Sequence, residues 1–178
     1  MDEIFRQGAI DPNLVSQNVG YVPVLPFFQG FVNPTDIYVG YDEMIYVIDD
    51  LGVHILDQKG TLNATISIQG ATDIVQDRRL HTYIAGRINV IRGGNQYNLP
   101  AVYRLIHTGS NNYKIIDTLI HPDCDVSRAS TSFRGAEDEQ VKFTGLTTLH
   151  DNTLFVSRIG PKKRNHLILP SGQCHIGF

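Results

Sequence analysis

Residues 37 positions apart repeat one another in this chain, and that recurrence restricts the fold more than any other feature. The run Ala71-Thr72-Asp73-Ile74-Val75 echoes Pro34-Thr35-Asp36-Ile37-Tyr38, and Leu80-His81-Thr82-Tyr83-Ile84 echoes Met44-Ile45-Tyr46-Val47-Ile48. The first unit reads as four short strands at 36–39, 44–48, 53–56 and 62–68. They are joined by the turns Asp42-Glu43, Asp49-Asp50-Leu51-Gly52 and Asp57-Gln58-Lys59-Gly60. β-Branched and aromatic residues between Asp/Gly turns are hairpin chemistry, and no 3.6-residue helical period runs through them. The second unit continues with strands at 88–91, 101–107 and 113–120 around the turn Gly93-Gly94-Asn95. A third unit starts at Val141, with strands at 143–149 and 153–157 across Asp151-Asn152. Four antiparallel strands per unit at a period of about 40 residues is the pattern of a β-propeller blade, which buries its apolar face only against a neighbour. The expected fold class is therefore all-β: a partial β-propeller of about two and a half four-stranded antiparallel blades over residues 31–160. Closed propellers take about 4–8 blades. A ring this short stays open, and either a longer gene product or further copies of the chain would complete it. Ile37, Ile45, Val47, Ile55, Ile74, Ile84, Leu105, Ile116, Leu146 and Val156 are expected to be buried between blades, and open blade edges are expected to self-associate.

The flanks of the repeat read differently. Residues 1–30 carry turn and extended signals at close spacing, with Asp11-Pro12-Asn13, Asn18-Val19-Gly20, Pro23 and Pro26, and are expected to be an extended arm or a linker. Residues 161–178 are expected to be an irregular tail that packs weakly. Either a shifted reading frame, which would make the tail non-native, or a natural long loop accounts for the abrupt loss of strand pattern after Ser157. The net charge is −3, from 15 basic and 18 acidic residues, which counts against a nucleic-acid partner. No apolar run reaches the ~18 residues of a transmembrane helix. The start, Met1-Asp2-Glu3, lacks the apolar segment of a signal peptide. Two cysteines, Cys124 and Cys174, do not make a disulfide framework.

The residues of the first unit resemble a known family. Asn33-Pro34-Thr35-Asp36-Ile37, Ile45-Tyr46-Val47-Ile48-Asp49, Gly52-Val53-His54-Ile55-Leu56-Asp57 and Gly60 look like an NHL-type propeller blade. The second unit departs from that pattern, with Ala85-Gly86 where an Asp belongs, and the third breaks off after its second strand. The wider character, including Val22-Pro23-Val24 and Gln76-Asp77-Arg78-Arg79-Leu80, is similar to uncharacterised NHL-repeat lipoproteins of Bacteroidota. That resemblance implies a six-bladed architecture in the full-length protein and a place in the cell envelope or outside the cell. A shared propeller fold says far more about architecture than about activity.

Candidate chemistry is sparse. Asp42, Asp49, Asp50, Asp57, Asp77 and Asp151 all fall in turns, where a carboxylate accepts nearby backbone N–H groups. They recur at different turn positions, so metal ligation, which needs converging oxygens, is the less favoured reading. The densest constellation is His121-Pro122-Asp123-Cys124-Asp125. It lacks the further Cys or His at ligand spacing that zinc needs, and a Cys124 nucleophile based on His121 is an unspecific signal. The polar segment 127–140, with Arg128, Arg134 and Glu137-Asp138-Glu139, follows it. Loops of that length are usually functional or disordered. The candidate loop site is therefore His121, Asp123, Cys124, Asp125, Arg128 and Arg134, with no catalytic set, metal set or cofactor assigned.

Two functions remain open. The first is a non-enzymatic binding or scaffold module, a fragment of a larger secreted or surface lipoprotein, whose ligand is a protein or a glycan. The second is a propeller enzyme, a metal-dependent lactonase or hydrolase, or a lyase, with polar groups from several blades meeting on the axis. The strands Ile37-Tyr38-Val39, Ile74-Val75 and Leu146-Thr147-Thr148, expected to line that axis, are apolar or hydroxylic and favour the first.

Overall fold

The structure is a computed structural model that describes residues 28–109, 112–121 and 134–160, together with the backbone of Leu169–Pro170. The chain divides into two units, Met1–Gly30 and Phe31–Phe178, and every strand among the described residues belongs to the second. The expected arm therefore lies almost wholly outside the described residues, as do most of the tail and the loop residues 122–133.

The described residues form three antiparallel sheets. Sheet 1 runs in the order β1 (Asp36–Val39), β2 (Ile45–Asp49), β3 (Gly52–Leu56) and β4 (Leu62–Ile66). Sheet 2 repeats the meander with β5 (Asp73–Gln76), β6 (Thr82–Arg92), β7 (Asn95–His107) and β8 (Tyr113–Ile120). Sheet 3 holds β9 (Lys142–Thr148), β10 (Leu154–Ile159) and β11 (Leu169–Pro170), in the order β11-β10-β9. Leu169–Pro170 thus pairs with Val156 and Phe155 as the third strand of its sheet. The single helical turn among the described residues, α1 (Ala136–Glu139), sits in the long segment before β9. The protein is all-β, as the repeat requires.

The 37-residue recurrence is real in three dimensions. Tyr38 pairs with Tyr46 in sheet 1, Val75 with Tyr83 in sheet 2, and Thr147 with Phe155 in sheet 3. The turn after each leading strand has one geometry. Gly40, Asp77 and Leu149 donate to Met44, His81 and Thr153 and accept from Glu43, Leu80 and Asn152. Those last three residues carry φ of 62°, 64° and 69°, a left-handed conformation that non-glycine residues seldom adopt. The aspartates hold the turns as their position implies. Asp77 Oδ1 accepts from the Arg79 and His81 N–H at 2.8 and 2.9 Å, Asp57 Oδ1 from Lys59 and Thr61, and Asp151 Oδ1 from Thr153.

Two apolar layers separate the sheets. Tyr46, Ile48, Val53 and Ile55 of sheet 1 meet Ile74, Ile84 and Leu105 of sheet 2. On its other face sheet 2 sets Val75, Tyr83, Ala85 and Val102 against Phe143, Leu154 and Val156 of sheet 3. Successive side chains point to opposite faces of a strand, so Ile74-Val75 and Tyr83-Ile84-Ala85 feed both layers in turn. Each fully buried Ile, Val or Leu contributes about 1.5–3 kcal/mol.

Three expectations about strands need correction. β6 and β7 are single strands of 11 and 13 residues, where separate strands at 80–84 and 88–91 and a later start at 101 were expected. Gly86 lies inside β6 because a Cβ there would sit 2.7 Å from Ile68 Cγ2, so its lack of a side chain serves close packing. Ile116 is exposed where a core position was expected. A register shift between Arg104 and Leu105 leaves it opposite no partner in β7, a bulged residue. Ile37 is exposed because it lies on the edge strand β1, away from sheet 2, whereas its partner Val47 in β2 on the same face is buried. Val47, Ile55, Ile74, Ile84, Leu105 and Val156 are buried as expected, while Ile45 and Leu146 are only half-buried.

Gly52 gives a direct test of the hairpin between β2 and β3. Its φ is 135°, and a Cβ would meet Ile66 O at 2.3 Å. Gly52→Ala is expected to cost about 3 kcal/mol or more through backbone strain and displacement of β4. A drop in thermal midpoint of roughly 10 °C would match that cost; an unchanged midpoint contradicts the close approach of β4 to this turn.

Candidate functional site

Two places gather chemistry-bearing side chains, and the first is the base of the segment 122–133. The backbone N–H of His121 donates to Pro100 O, which continues β8 against β7. The His121 ring is buried, stands edge-on to Phe143 at 6.3 Å, and places Nε2 3.4 Å from Asp138 Oδ1. Asp138 is itself buried in α1, and its Oδ2 accepts the Arg134 backbone N–H. One carboxylate therefore holds both ends of the segment. The Arg134 side chain points outward, 4.0 Å from Glu137.

A second set of bonds fastens this base to the long hairpin of sheet 2. The Arg87 guanidinium donates to Asn98 Oδ1 and O and to the carbonyls of Glu139 and Val141. Glu139 Oε1 accepts the Asn98 N–H at 2.7 Å. Burial lowers the Arg87 pKa, partly countered by Glu139. Arg87 replaces, one residue on, the aspartate missing from the second unit, and its cation reaches into carbonyls where Asp49 accepts N–H groups.

The second place is the start of the leading strands. Asp36 and Asp73 occupy the same position of β1 and β5, and the stacking sets their carboxyls together. Asp73 Oδ2 also accepts the Leu146 N–H of β9, so one side chain touches three sheets. Burial raises the Asp73 pKa, the Leu146 and Ile74 N–H groups pull it down, and the Asp36 charge raises it again; the net shift is upward. Paired carboxylates of this kind can share a proton or flank a cation.

The other buried polar groups tie sheets and turns. Asp49 Oδ1 accepts from Leu51 and Gly52, while Oδ2 accepts the Val32 N–H at 2.8 Å and lies 2.9 Å from His54 Nε2. Burial opposes ionisation of Asp49, but the Val32 N–H, His54 and the Leu51 N–H hold its carboxyl below the usual range. Between sheets 1 and 2, Gln76 Nε2 donates to Asp42 Oδ2, Tyr46 Oη and Thr82 Oγ1, and Gln76 Oε1 accepts the Asp42 N–H. In sheet 2, Asp77 Oδ2 receives the Tyr83 hydroxyl and faces His81, and Arg104 packs on that imidazole. Burial, with the Asp77 charge, pushes the Tyr83 hydroxyl up to about 12.

Of the residues singled out from sequence, His121 and Arg134 are thus brought together through Asp138. Asp123, Cys124, Asp125 and Arg128 lie outside the described residues. Sequence reasoning treats Asp138 as one of three acids in a polar run and gives it no role. It also passes over Asp36 and Asp73, although the recurrence itself puts them at equal positions of neighbouring strands. Among the described residues no group of three or more His, Cys, Asp or Glu is placed to hold a metal ion. No protein-family model and no curated protein matches the chain.

Asp73 supplies a signed pH test. An acid whose folded pKa is raised costs stability while ionised, and the cost fades as pH falls through the folded value. Asp73→Asn keeps an acceptor for the Leu146 N–H and removes the charge beside Asp36. Its melting temperature is expected to exceed wild type near pH 7, with the difference shrinking toward pH 4. A variant less stable than wild type at pH 7 contradicts the upward shift.

Proposed function

We propose that this chain is a β-propeller-type binding or scaffold module, part of a larger secreted or surface-attached protein, with a protein or glycan ligand. NHL-like blades, an open ring and self-association through blade edges belong to the same reading. The observation that carries it is the use made of polar side chains. The turn carboxylates accept their own backbone N–H groups, Gln76 joins two sheets, and Asp138 fastens a polar segment to a rigid base. That arrangement presents a surface instead of assembling nucleophile, base and oxyanion donors. Arg134 and Glu137 are its exposed charged groups among the described residues. No helix among the described residues is long and apolar enough to cross a membrane.

One observation favours the enzyme reading, a metal-dependent lactonase, hydrolase or lyase: the Asp36–Asp73 pair where sheets 1 and 2 meet. A single set of proteins separates the two. On a glycan and peptide array, the binding reading expects saturable binding that falls at least about tenfold, roughly 1.4 kcal/mol, in the Arg134→Ala/Glu137→Ala variant. Melting should be unchanged. Turnover of lactone or ester substrates with added Ca2+, Mg2+ or Mn2+, abolished in Asp36→Asn/Asp73→Asn, would replace the binding reading with the enzyme.

A further inference from the structure

We infer that the projecting end of the β6–β7 hairpin carries a binding site for a neutral glycan, built on the side-chain amides of Gln69, Asn89 and Gln96. The site is separate from the Arg134 surface and holds whatever that surface binds.

β6 and β7 go on pairing past their neighbours. β5 follows β6 only to Ala85, and β8 meets β7 only from Ala101 onward, whereas Arg87↔Pro100 through Arg92↔Asn95 continue as a two-stranded ribbon. Gly93 and Gly94 close it at φ of 59° and 83°, the left-handed pair that a tight hairpin turn needs. Alternation sets Arg87, Asn89 and Ile91 on one face, opposite Pro100, Asn98 and Gln96. Beyond Arg87 and Pro100 this face adds nothing to the core. Asn89 and Gln96 are exposed, Asn98 is half-buried, and Ile91 is 78% exposed.

A chain of amides with one possible orientation holds the face rigid. The Arg87 guanidinium can only donate, so Asn98 must turn Oδ1 toward its Nε. Asn98 Nδ2 then donates to Asn89 Oδ1 at 2.7 Å and to Gln69 Oε1 at 3.3 Å. Asn89 Nδ2 donates to the same Gln69 oxygen at 3.3 Å. The backbone brings Gln69 there, since the Arg87 N–H donates to Gln69 O at 2.8 Å. Gln69 Nε2 and the Gln96 amide have no partner among the described residues, so they face solvent with their hydrogen-bonding capacity unused.

The charges beneath this row are already spent. Arg87 donates to the carbonyls of Asn98, Glu139 and Val141, and the nearby Glu139 accepts the Asn98 N–H. An acidic or basic peptide would find no free counter-charge. A sugar hydroxyl is donor and acceptor at once, so neighbouring hydroxyls match neighbouring amides. Ile91, two residues along the same face from Asn89, offers an apolar contact for the C–H face of the ring. Side chains already fixed by one another lose little freedom on binding. The chemistry of the face therefore selects a neutral glycan.

An array of neutral glucose, mannose, galactose and xylose oligosaccharides, followed by calorimetric titration of the full chain with the best of them, tests this. Wild type is expected to bind saturably. Gln69→Ala/Asn89→Ala, and separately Gln96→Ala, should each raise Kd at least about tenfold. Melting should stay close to wild type, since these side chains are exposed. Arg134→Ala/Glu137→Ala should bind the neutral glycan as wild type does. An array silent for neutral sugars overturns the inference; binding of peptides or uronic-acid glycans alone, lost in Arg134→Ala/Glu137→Ala, does so too while leaving the Arg134 surface as a binding site. Neutral-glycan binding that survives both sets of amide changes also overturns it.

Discussion

Sheet 2 buries both of its faces, and the rest of the described fold depends on that. An antiparallel sheet with one wet face alternates apolar and polar residues along each strand. β5 and β6 instead place Ile74 and Ile84 toward sheet 1, and Val75, Tyr83 and Ala85 toward sheet 3. Tyr46, Ile48, Val53 and Ile55 of sheet 1 and Phe143, Leu154 and Val156 of sheet 3 are packed against this middle layer, and the apolar face of a short meander is too small to hold it together alone. The layer also fixes register. A slip of one residue in β5 would exchange Ile74 for Val75 and place Gln76 in the wrong interface, losing its bonds to Asp42, Tyr46 and Thr82. Apolar packing supplies the attraction, and the Gln76 amide selects one alignment.

Most of this architecture was legible in the sequence because a repeat announces itself twice. The echo of Asp36-Ile37 in Asp73-Ile74 and of Tyr46 in Tyr83 marks equal strand positions, and the paired residues confirm them. The turn aspartates were legible for a local reason: an Asx side chain reaches backbone N–H groups two to four residues on, so its role is written within its own turn. The unbroken β6 was not legible. Gly86 looks like a breaker from sequence, and only the approach of Ile68 explains its place in the strand. The bulge at Ile116 was hidden similarly, since a bulge is a property of two strands in register.

The candidate sites were legible only where local. His121 stood out as the first residue of a ligand-rich run, yet its partner Asp138 is 17 residues away, between two glutamates that are less buried. Composition cannot tell which acid of Glu137-Asp138-Glu139 turns inward. Helical geometry and the pull of the Arg134 N–H decide it. Arg87 likewise reads as an exposed strand residue until the 134–141 segment folds over it and offers two carbonyls.

Two aspartates show how the same side chain is steered toward opposite chemistry. Asp49 is buried more completely than Asp73, and burial alone would raise both. Asp49 ends a strand inside a tight turn, where three backbone N–H groups and His54 converge on its two oxygens, so the carboxylate is the favoured form. Asp73 begins a strand at the seam between sheets, where its nearest acid is the copy of itself one repeat earlier. Donors from Ile74 and Leu146 only partly offset that charge. Turns thus hold carboxylates in their ionised, structural role, whereas the seam brings equivalent residues of successive repeats together regardless of charge. In a stacked repeat protein, any acid at a leading strand's start is duplicated beside itself, and such seams are where unusual protonation arises. The Asp36–Asp73 pair follows from the recurrence as directly as the fold does.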